Sequence, residues 1–390
     1  MRRLWTCVLG AVIGCGGRQA AESEEPRGDA IADLGVDDGG APDGSVPDDS
    51  IDSIDASAED AKVDGRDAPA SVDAGPLGNS VVVYSNNIEN MIFDWKDLVH
   101  YMARDKRNPD LFLVQQMTNK KRLDELLAFM TATLGEKYAG IVAQDDPTHD
   151  RFGDEVKPNP PVTTGVIWRA ARFDYLSHET WFPWGRAVDG VHTCDGRTPN
   201  SGYQTIRVRL QDTLAKKKVA VASLRHWTWM DCSQQNMIEM IDGVATGPGA
   251  HAAMPDFPLQ IVGGDFNGPA FDDGGDYRCW YRVTNHALGG AACAGHANLG
   301  FADPLYEECK GATACVRADS GIDFIFGRTT GGKPARSADF RVITYAAGDD
   351  ADKAATGSDS LSNRVATHGF DDVNSNYSGH RARRAIFFYE

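Results

Sequence analysis

VGGDFNG (262–268) decides how this chain is read. It continues the apolar run LQIV (259–262), so Asp265 and Asn267 stand where a buried strand gives way to a turn. Alone, the segment is an ordinary turn, because Asp and Asn side chains bond readily to nearby backbone. Working outward, similar residues recur at other strand ends. GIDFIF (321–326) carries Asp323 inside an otherwise apolar strand, where a buried carboxylate requires a partner. YSGHRA (377–382) sets His380 just ahead of the strand AIFFY (385–389). Asn87 follows SVVVY (80–84) in YSNNIEN (84–90), Gln116 closes PDLFLVQQ (109–116), and His226 closes VASLRHW (221–227). Taken singly, His226, with Trp227 and Trp229 beside it, reads equally as a packed core histidine, and His380 reads as a loop histidine.

The surrounding texture predicts sheets covered by helices. SVVVY, LFLV (111–114), GVIW (165–168), TIRVRL (205–210), VAVASL (219–224), LQIV, IDFIF (322–326) and AIFFY all read as strands. Some alternate and some are wholly apolar, as expected when one or both faces are covered. Trp95, Leu98, Val99 and Met102 repeat at helical spacing after Asp94, a plausible N-cap. Leu123, Leu126, Leu127, Met130 and Leu134 repeat it before Gly135, and a third helix is expected near Ser233 with Met237, Ile238 and Ile241 inward. No internal repeat is present. Polar groups gathered at strand ends are what an open α/β architecture offers as an active site.

The first fifth of the chain is of another kind. Met1-Arg2-Arg3, an apolar run from Leu4 to Ile13 and then Gly14-Cys15 read as a signal peptide over 1–14, too short to span a bilayer. VIGC (12–15) has the small-then-Cys form of a bacterial lipoprotein signal, which makes Cys15 the expected lipid acceptor. Residues 15–78 are expected to be a disordered acidic tether, since 21–75 contain no aromatic residue and cannot bury enough apolar area to fold. That stretch holds 17 acidic against 3 basic residues. The chain's net −17, less this −14 and the +3 of the first twenty residues, leaves only −6 for the rest. A large basic face of the kind that binds nucleic acid is therefore not evident from composition.

Six cysteines remain beyond the signal and Cys15, an even number that favours disulfides in an exported protein. Proximity suggests the pairs 194–232, 279–293 and 309–315. The rival, a zinc site, lacks any Cys-x-x-Cys or Cys-x-x-His spacing.

In chain order, the strand-end series resembles the endonuclease/exonuclease/phosphatase family, which includes pancreatic-type deoxyribonuclease, abasic-site endonucleases, bacterial sphingomyelinases and inositol polyphosphate phosphatases. The resemblance covers about 79–390. It implies a four-layer α/β/β/α sandwich of two packed, mainly antiparallel sheets flanked by helices, and hydrolysis of phosphodiester bonds by a nuclease or phosphodiesterase. It also implies roles. His380, oriented by Asp323, is the general base or the anchor of the scissile phosphate. Asp265 activates water or protonates the leaving oxygen. Asn267 binds a non-bridging phosphate oxygen, His226 binds developing charge, and Asn87 supports a site holding Mg2+ or another divalent cation (Ca2+, Mn2+).

Three positions depart from the family's pattern. Its second strand ends Gln-Glu, the Glu being the principal metal ligand, but Gln116 stands there. Its terminal Ser-Asp-His is here Ser378-Gly379-His380, and the Asn that opens its GVIW strand is Thr164. Hard cations want carboxylate oxygens, so loss of two negative charges should weaken metal binding. Glu89, Asp371 and Asp372 are candidate substitute ligands. Two readings compete: an exported, monomeric, lipid-anchored phosphoesterase acting on nucleic acid, a phospholipid head group or a small phosphodiester, and a catalytically degenerate surface binding module.

Overall fold

In a computed structural model, residues 78–91, 95–147, 162–184, 204–226, 231–272, 274–289, 293, 297–343, 378 and 380–390 are described. The expected signal (1–14), Cys15 and nearly all of the expected tether, with Asp94, Cys194, Asp371, Asp372 and Gly379, lie outside the described residues.

Two six-stranded sheets form the body. The first runs β11-β12-β1-β2-β4-β3 and the second β10-β9-β8-β7-β6-β5. The first comprises β1 (Ser80–Asn87), β2 (Leu111–Met117), β3 (Tyr138–Val142), β4 (Thr163–Arg169), β11 (Ser337–Val342) and β12 (Arg383–Phe388). The second comprises β5 (Phe173–Trp181), β6 (Thr205–Asp212), β7 (Lys217–Arg225), β8 (Leu259–Asp265), β9 (Asp323–Thr329) and β10 (Lys333–Pro334). Each sheet has one parallel pair, β1 with β2 and β7 with β8, and its other pairs are antiparallel. This is the two-sheet sandwich expected from the sequence.

Alternation explains why the central strands read as wholly apolar. Val81, Val83, Leu111 and Leu113 enter the cluster shared with Val208, Val221, Ile261 and Phe326 of the second sheet. The intervening Tyr84, Phe112 and Val114 enter a separate cluster under two helices, α1 (Lys96–Asp105) and α2 (Lys120–Leu134). Leu98, Val99, Met102, Leu123, Leu126 and Met130 supply the helical side of that cluster. Asn119 caps α2 by accepting from the Arg122 N–H, and Gly135 ends it in the left-handed region (φ 71°). The third expected helix is α3 (Asp231–Asp242); it buries Met237 and Met240, whereas Ile238 and Ile241 are only half-buried.

A polar bridge crosses the buried interior between the sheets. Gln115 on β2 donates to Ser85 Oγ of β1 (3.3 Å) and to Ser223 Oγ of β7 (3.0 Å), while Ser223 Oγ donates to the Val114 carbonyl (3.0 Å). The bonds between these buried groups carry specificity for one alignment of the sheets. Of the expected disulfides, Cys279–Cys293 and Cys309–Cys315 are formed. Cys232 is also disulfide-bonded, and its expected partner Cys194 lies outside the described residues.

Candidate active site at the joined strand ends

Strand direction delivers the expected residues to one end of the sandwich. The parallel pairs finish together, bringing Asn87 and Gln116 to the end of the first sheet and Arg225 and Asp265 to the end of the second. β9 is antiparallel and begins opposite, with Asp323 in register with Asp265. His380 lies three residues before β12, which is antiparallel to β1 and pairs Arg383 with Ser85. A side chain at Gly264 (φ 144°) would place its Cβ 1.9 Å from the Leu224 carbonyl, so only glycine lets β8 approach β7 closely enough to seat Asp265 beside Arg225.

The sheets are joined by side chains. Asn87 Nδ2 donates to Asp265 Oδ2 (3.0 Å) and lies 3.2 Å from His380 Nε2. His380 Nδ1 bonds to Asp323 Oδ2 at 2.9 Å. Asp265 Oδ1 accepts from the Asn267 N–H (2.8 Å), and Asn267 Nδ2 donates to the His226 carbonyl. Asn267 adopts φ 49° and Gln116 φ 54°, left-handed values uncommon outside glycine that gather at functional sites. A bulge between Val114 and Met117, where β2 pairs with β4, accompanies the turn at Gln116.

Burial and neighbours push the two central groups in useful directions. Asp265 is fully buried, and that burial together with the Asp323 charge raises its carboxyl to about 6, against the pull of His380 and Arg225. Burial opposes charging of His380, but the Asp323 carboxylate bonded to it, aided by Asp265 and Glu89, lifts it to about 9. In the charged form His380 Nε2 is a donor and makes no bond to the Asn87 Nδ2 donor beside it; only the neutral form, with its proton on Nδ1, can accept there. At neutral pH one group is therefore an ionised acid and the other a charged imidazole.

Three residues that sequence reasoning passed over complete the frame. Asn86 donates to the His380 carbonyl (3.0 Å). Ser378 is buried; its Oγ donates to the Asn87 carbonyl, lies 3.1 Å from Glu89 Oε2, and accepts from the His380 N–H at 3.1 Å. Arg225 faces Gln116: with the carboxamide oxygen turned to the donors, Gln116 accepts from Arg225 Nε (2.8 Å) and Nη2 (2.9 Å) and from Asn87 Nδ2 (3.0 Å). Arg225 Nε is 3.5 Å from Asp265 Oδ2. The sequence signal for Ser378 was its place in Ser-x-His, and for Arg225 its place beside His226 at the end of β7.

His226 is at the same end but its ring faces inward. Ser233 Oγ donates to the Phe266 carbonyl (3.2 Å), so it can only accept from His226 Nδ1 at 3.0 Å. That fixes the proton on Nδ1 and leaves Nε2 an acceptor with no hydrogen-bond partner among the described residues. The ring packs edge-on to Phe266, and burial lowers it to about 3. Binding negative charge through Nε2 would require a proton that burial opposes.

Asp265, Asp323 and His380 hold ligand atoms within 4.8 Å of one another, a set that could hold a metal ion by residue type. Most of these ligand atoms are already engaged. His380 Nδ1 is spent on Asp323, and both Asp265 oxygens already accept N–H donors. Gln116, the expected principal ligand, has its oxygen on a guanidinium. Arg225 and the charged form of His380 repel a dication here, while Asp265, Asp323 and Glu89 attract one. Asp323 Oδ1 is buried with no hydrogen-bond partner among the described residues and is the carboxylate oxygen left for a cation, whereas the Gln116 side of the site is already filled by the Arg225 guanidinium.

No protein-family model matches the chain, and no curated protein matches it by sequence. Among solved structures, it is similar to D. rerio TDP2 complexed with single-strand DNA product (13% identity, covering 79% of this chain and 98% of that one, TM-score 0.42). It is also similar to an endonuclease/exonuclease/phosphatase from Bacteroides vulgatus (15% identity, 80% and 99%, TM-score 0.41). A third is the human Nocturnin catalytic domain with bound sulfate anion (13% identity, 80% and 94%, TM-score 0.43). At such identities and scores the likeness says nothing about activity.

Proposed function

We propose that this chain is an exported phosphoester hydrolase that cleaves phosphodiesters by acid–base catalysis from the Asp265–Asn87–His380–Asp323 set. The observation that carries the reading is one cluster in which a buried carboxyl raised to about 6 stands beside an imidazole raised to about 9, so that the two values bracket neutrality. A carboxyl ionised above about pH 6 and an imidazole charged below about pH 9 divide the roles of base and acid at neutral pH.

A phosphodiester resists attack because its oxygens repel a nucleophile and its alkoxide is a poor leaving group. Asp265, ionised above about pH 6, accepts the proton of the attacking water as its oxygen bonds to phosphorus. His380, charged below about pH 9, stabilises the pentavalent phosphorane and gives its Nε2 proton to the leaving oxygen as the P–O bond breaks. Asp323 holds the imidazole's orientation and charge, and Asn267, one of whose Nδ2 hydrogens goes to the His226 carbonyl, gives the other to a non-bridging oxygen. The products are an alcohol and a phosphomonoester. The divalent cation implied by the resemblance takes no part in these steps. Substrates of this chemistry include nucleic acid, phospholipid head groups and small diesters.

With bis(p-nitrophenyl) phosphate, kcat/KM should rise as Asp265 loses its proton near pH 6 and fall as His380 loses its own near pH 9. A flat profile would refute the role assignment, and no hydrolysis of this or a nucleotide diester at any pH from about 5 to about 10 would refute the hydrolase.

Export and a lipid anchor at Cys15 belong to the same proposal. Two disulfides among the described residues support an oxidising compartment. Metabolic labelling with palmitate should mark the full chain and fail in Cys15→Ala; equal labelling of both would remove the anchor.

A further inference from the structure

We propose that the Arg225 guanidinium does the work of a bound cation, so that the site takes a phosphate ester without any divalent metal. The inference rests on the phosphoester reading above and adds the means of binding. Its support is a balance of charge and a set of contacts. Four charged groups meet at the strand ends: Asp265 and Asp323 are negative, His380 and Arg225 positive, and the sum is zero. Glu89 adds one negative charge at the half-buried rim, beside Ser378. A glutamate at position 116 would leave three carboxylates around Asn87, a set that calls for a dication. Gln116 removes that demand and offers a neutral carbonyl, which Arg225 Nε and Nη2 occupy at 2.8 and 2.9 Å.

The substitution at 116 and the arginine at 225 thus explain each other. Asn87 Nδ2 reaches the same Gln116 oxygen at 3.0 Å and Asp265 Oδ2 at 3.0 Å, so Arg225 is tied to the residues placed in the chemistry. The guanidinium is nearly buried, its side chain 13% exposed, and is held on two sides by Gln116 and Asp265. A charge preorganised in this way needs no reorganisation when negative charge develops on phosphorus. Gln116 occupies the Nε–Nη2 edge, so a phosphate ester would meet the fixed positive charge of the guanidinium and not that edge of the fork.

The test uses inorganic phosphate and Mn2+ as separate probes of the full chain. Phosphate should bind equally with and without EDTA, by calorimetry or phosphorus NMR. Arg225→Gln should weaken that binding by about tenfold or more, and Arg225→Lys should restore part of it. Thermal melts of both variants report whether they fold, and the Lys variant keeps the comparison interpretable if the Gln variant does not. In electron paramagnetic resonance the signal of free Mn2+ should be unchanged by the wild type and reduced by Gln116→Glu/Arg225→Thr. Stoichiometric capture of Mn2+ by the wild type, or phosphate binding that vanishes in EDTA, would overturn the role of Arg225 and leave the hydrolase standing. Absence of phosphate binding under both conditions would overturn it as well. Phosphate binding in EDTA by a chain that hydrolyses no diester would instead retain Arg225 and refute the hydrolase.

Discussion

Replacing His380 by alanine should lower kcat/KM for a phosphodiester by about four orders of magnitude, since acid catalysis and charge stabilisation each contribute about 10²-fold or more. The variant loses the proton for the leaving oxygen and the positive charge over the phosphorane. A second signature separates this role from a structural one. The imidazole's pKa is raised from 6.5 to about 9 in the fold, so the stability it contributes is fully present below 6.5 and lost as pH rises through 9. His380→Ala should therefore be destabilised most at pH 6, by at most about 3 kcal/mol, and hardly at all near pH 10. Denaturant melts at the two pH values beside a diester assay check both parts. Activity within tenfold of wild type would remove His380 from the chemistry.

Asp265→Asn should also cost about 10²- to 10³-fold in activity, yet raise stability at neutral pH. The carboxyl's pKa is raised from 3.8 to about 6, so its favourable contribution is present below 3.8 and lost as pH rises through 6. Above pH 6 the fold carries a fully buried charge at a cost of about 3 kcal/mol. Asparagine removes that cost but cannot accept equally well from both Asn267 N–H and Asn87 Nδ2. The net gain should be about 1–2 kcal/mol, or a few degrees in Tm. Scanning calorimetry at pH 7 and pH 4 checks the sign, because the difference should fade at the lower pH. A variant less stable than wild type at pH 7, or fully active, would sink the assignment.

The strands that carry the site were legible because their burial is lopsided in sequence. β1, β2, β7 and β8 read as apolar runs with a polar residue at or next to their last position, and β9 and β12 as apolar runs with one at or just before their first. β3, β5 and β11 were missed. β3 and β5 are outer strands, and β5 exposes Asp174, Tyr175, Leu176 and His178, so no clean period-2 pattern survives. β11, also at an edge, carries a register shift between Ala338 and Arg341 that breaks alternation. The two-residue β10 is too short to signal itself.

Within the site, the order of Asn87, Gln116, Asp265, Asn267, Asp323 and His380 along the chain was enough to expect their convergence. What the order could not supply was direction. His226 turns into the core because Ser233 and Phe266 meet it there, seven and forty residues away. Arg225 gained its meaning only through the left-handed backbone and bulge at Gln116, which bring a carboxamide to a guanidinium. Such a rotation leaves no mark in residue type.

The bridge from Gln115 to Ser85 and Ser223 sits one residue before Gln116. Half of the reacting set rides on each sheet, so a slide of one slab past the other would separate proton donor from acceptor by the same distance. Apolar contacts alone tolerate such drift, whereas a carboxamide held between two hydroxyls does not. The bridge acts as a dowel: it keeps two packed faces in the alignment on which proton transfer depends, without touching substrate.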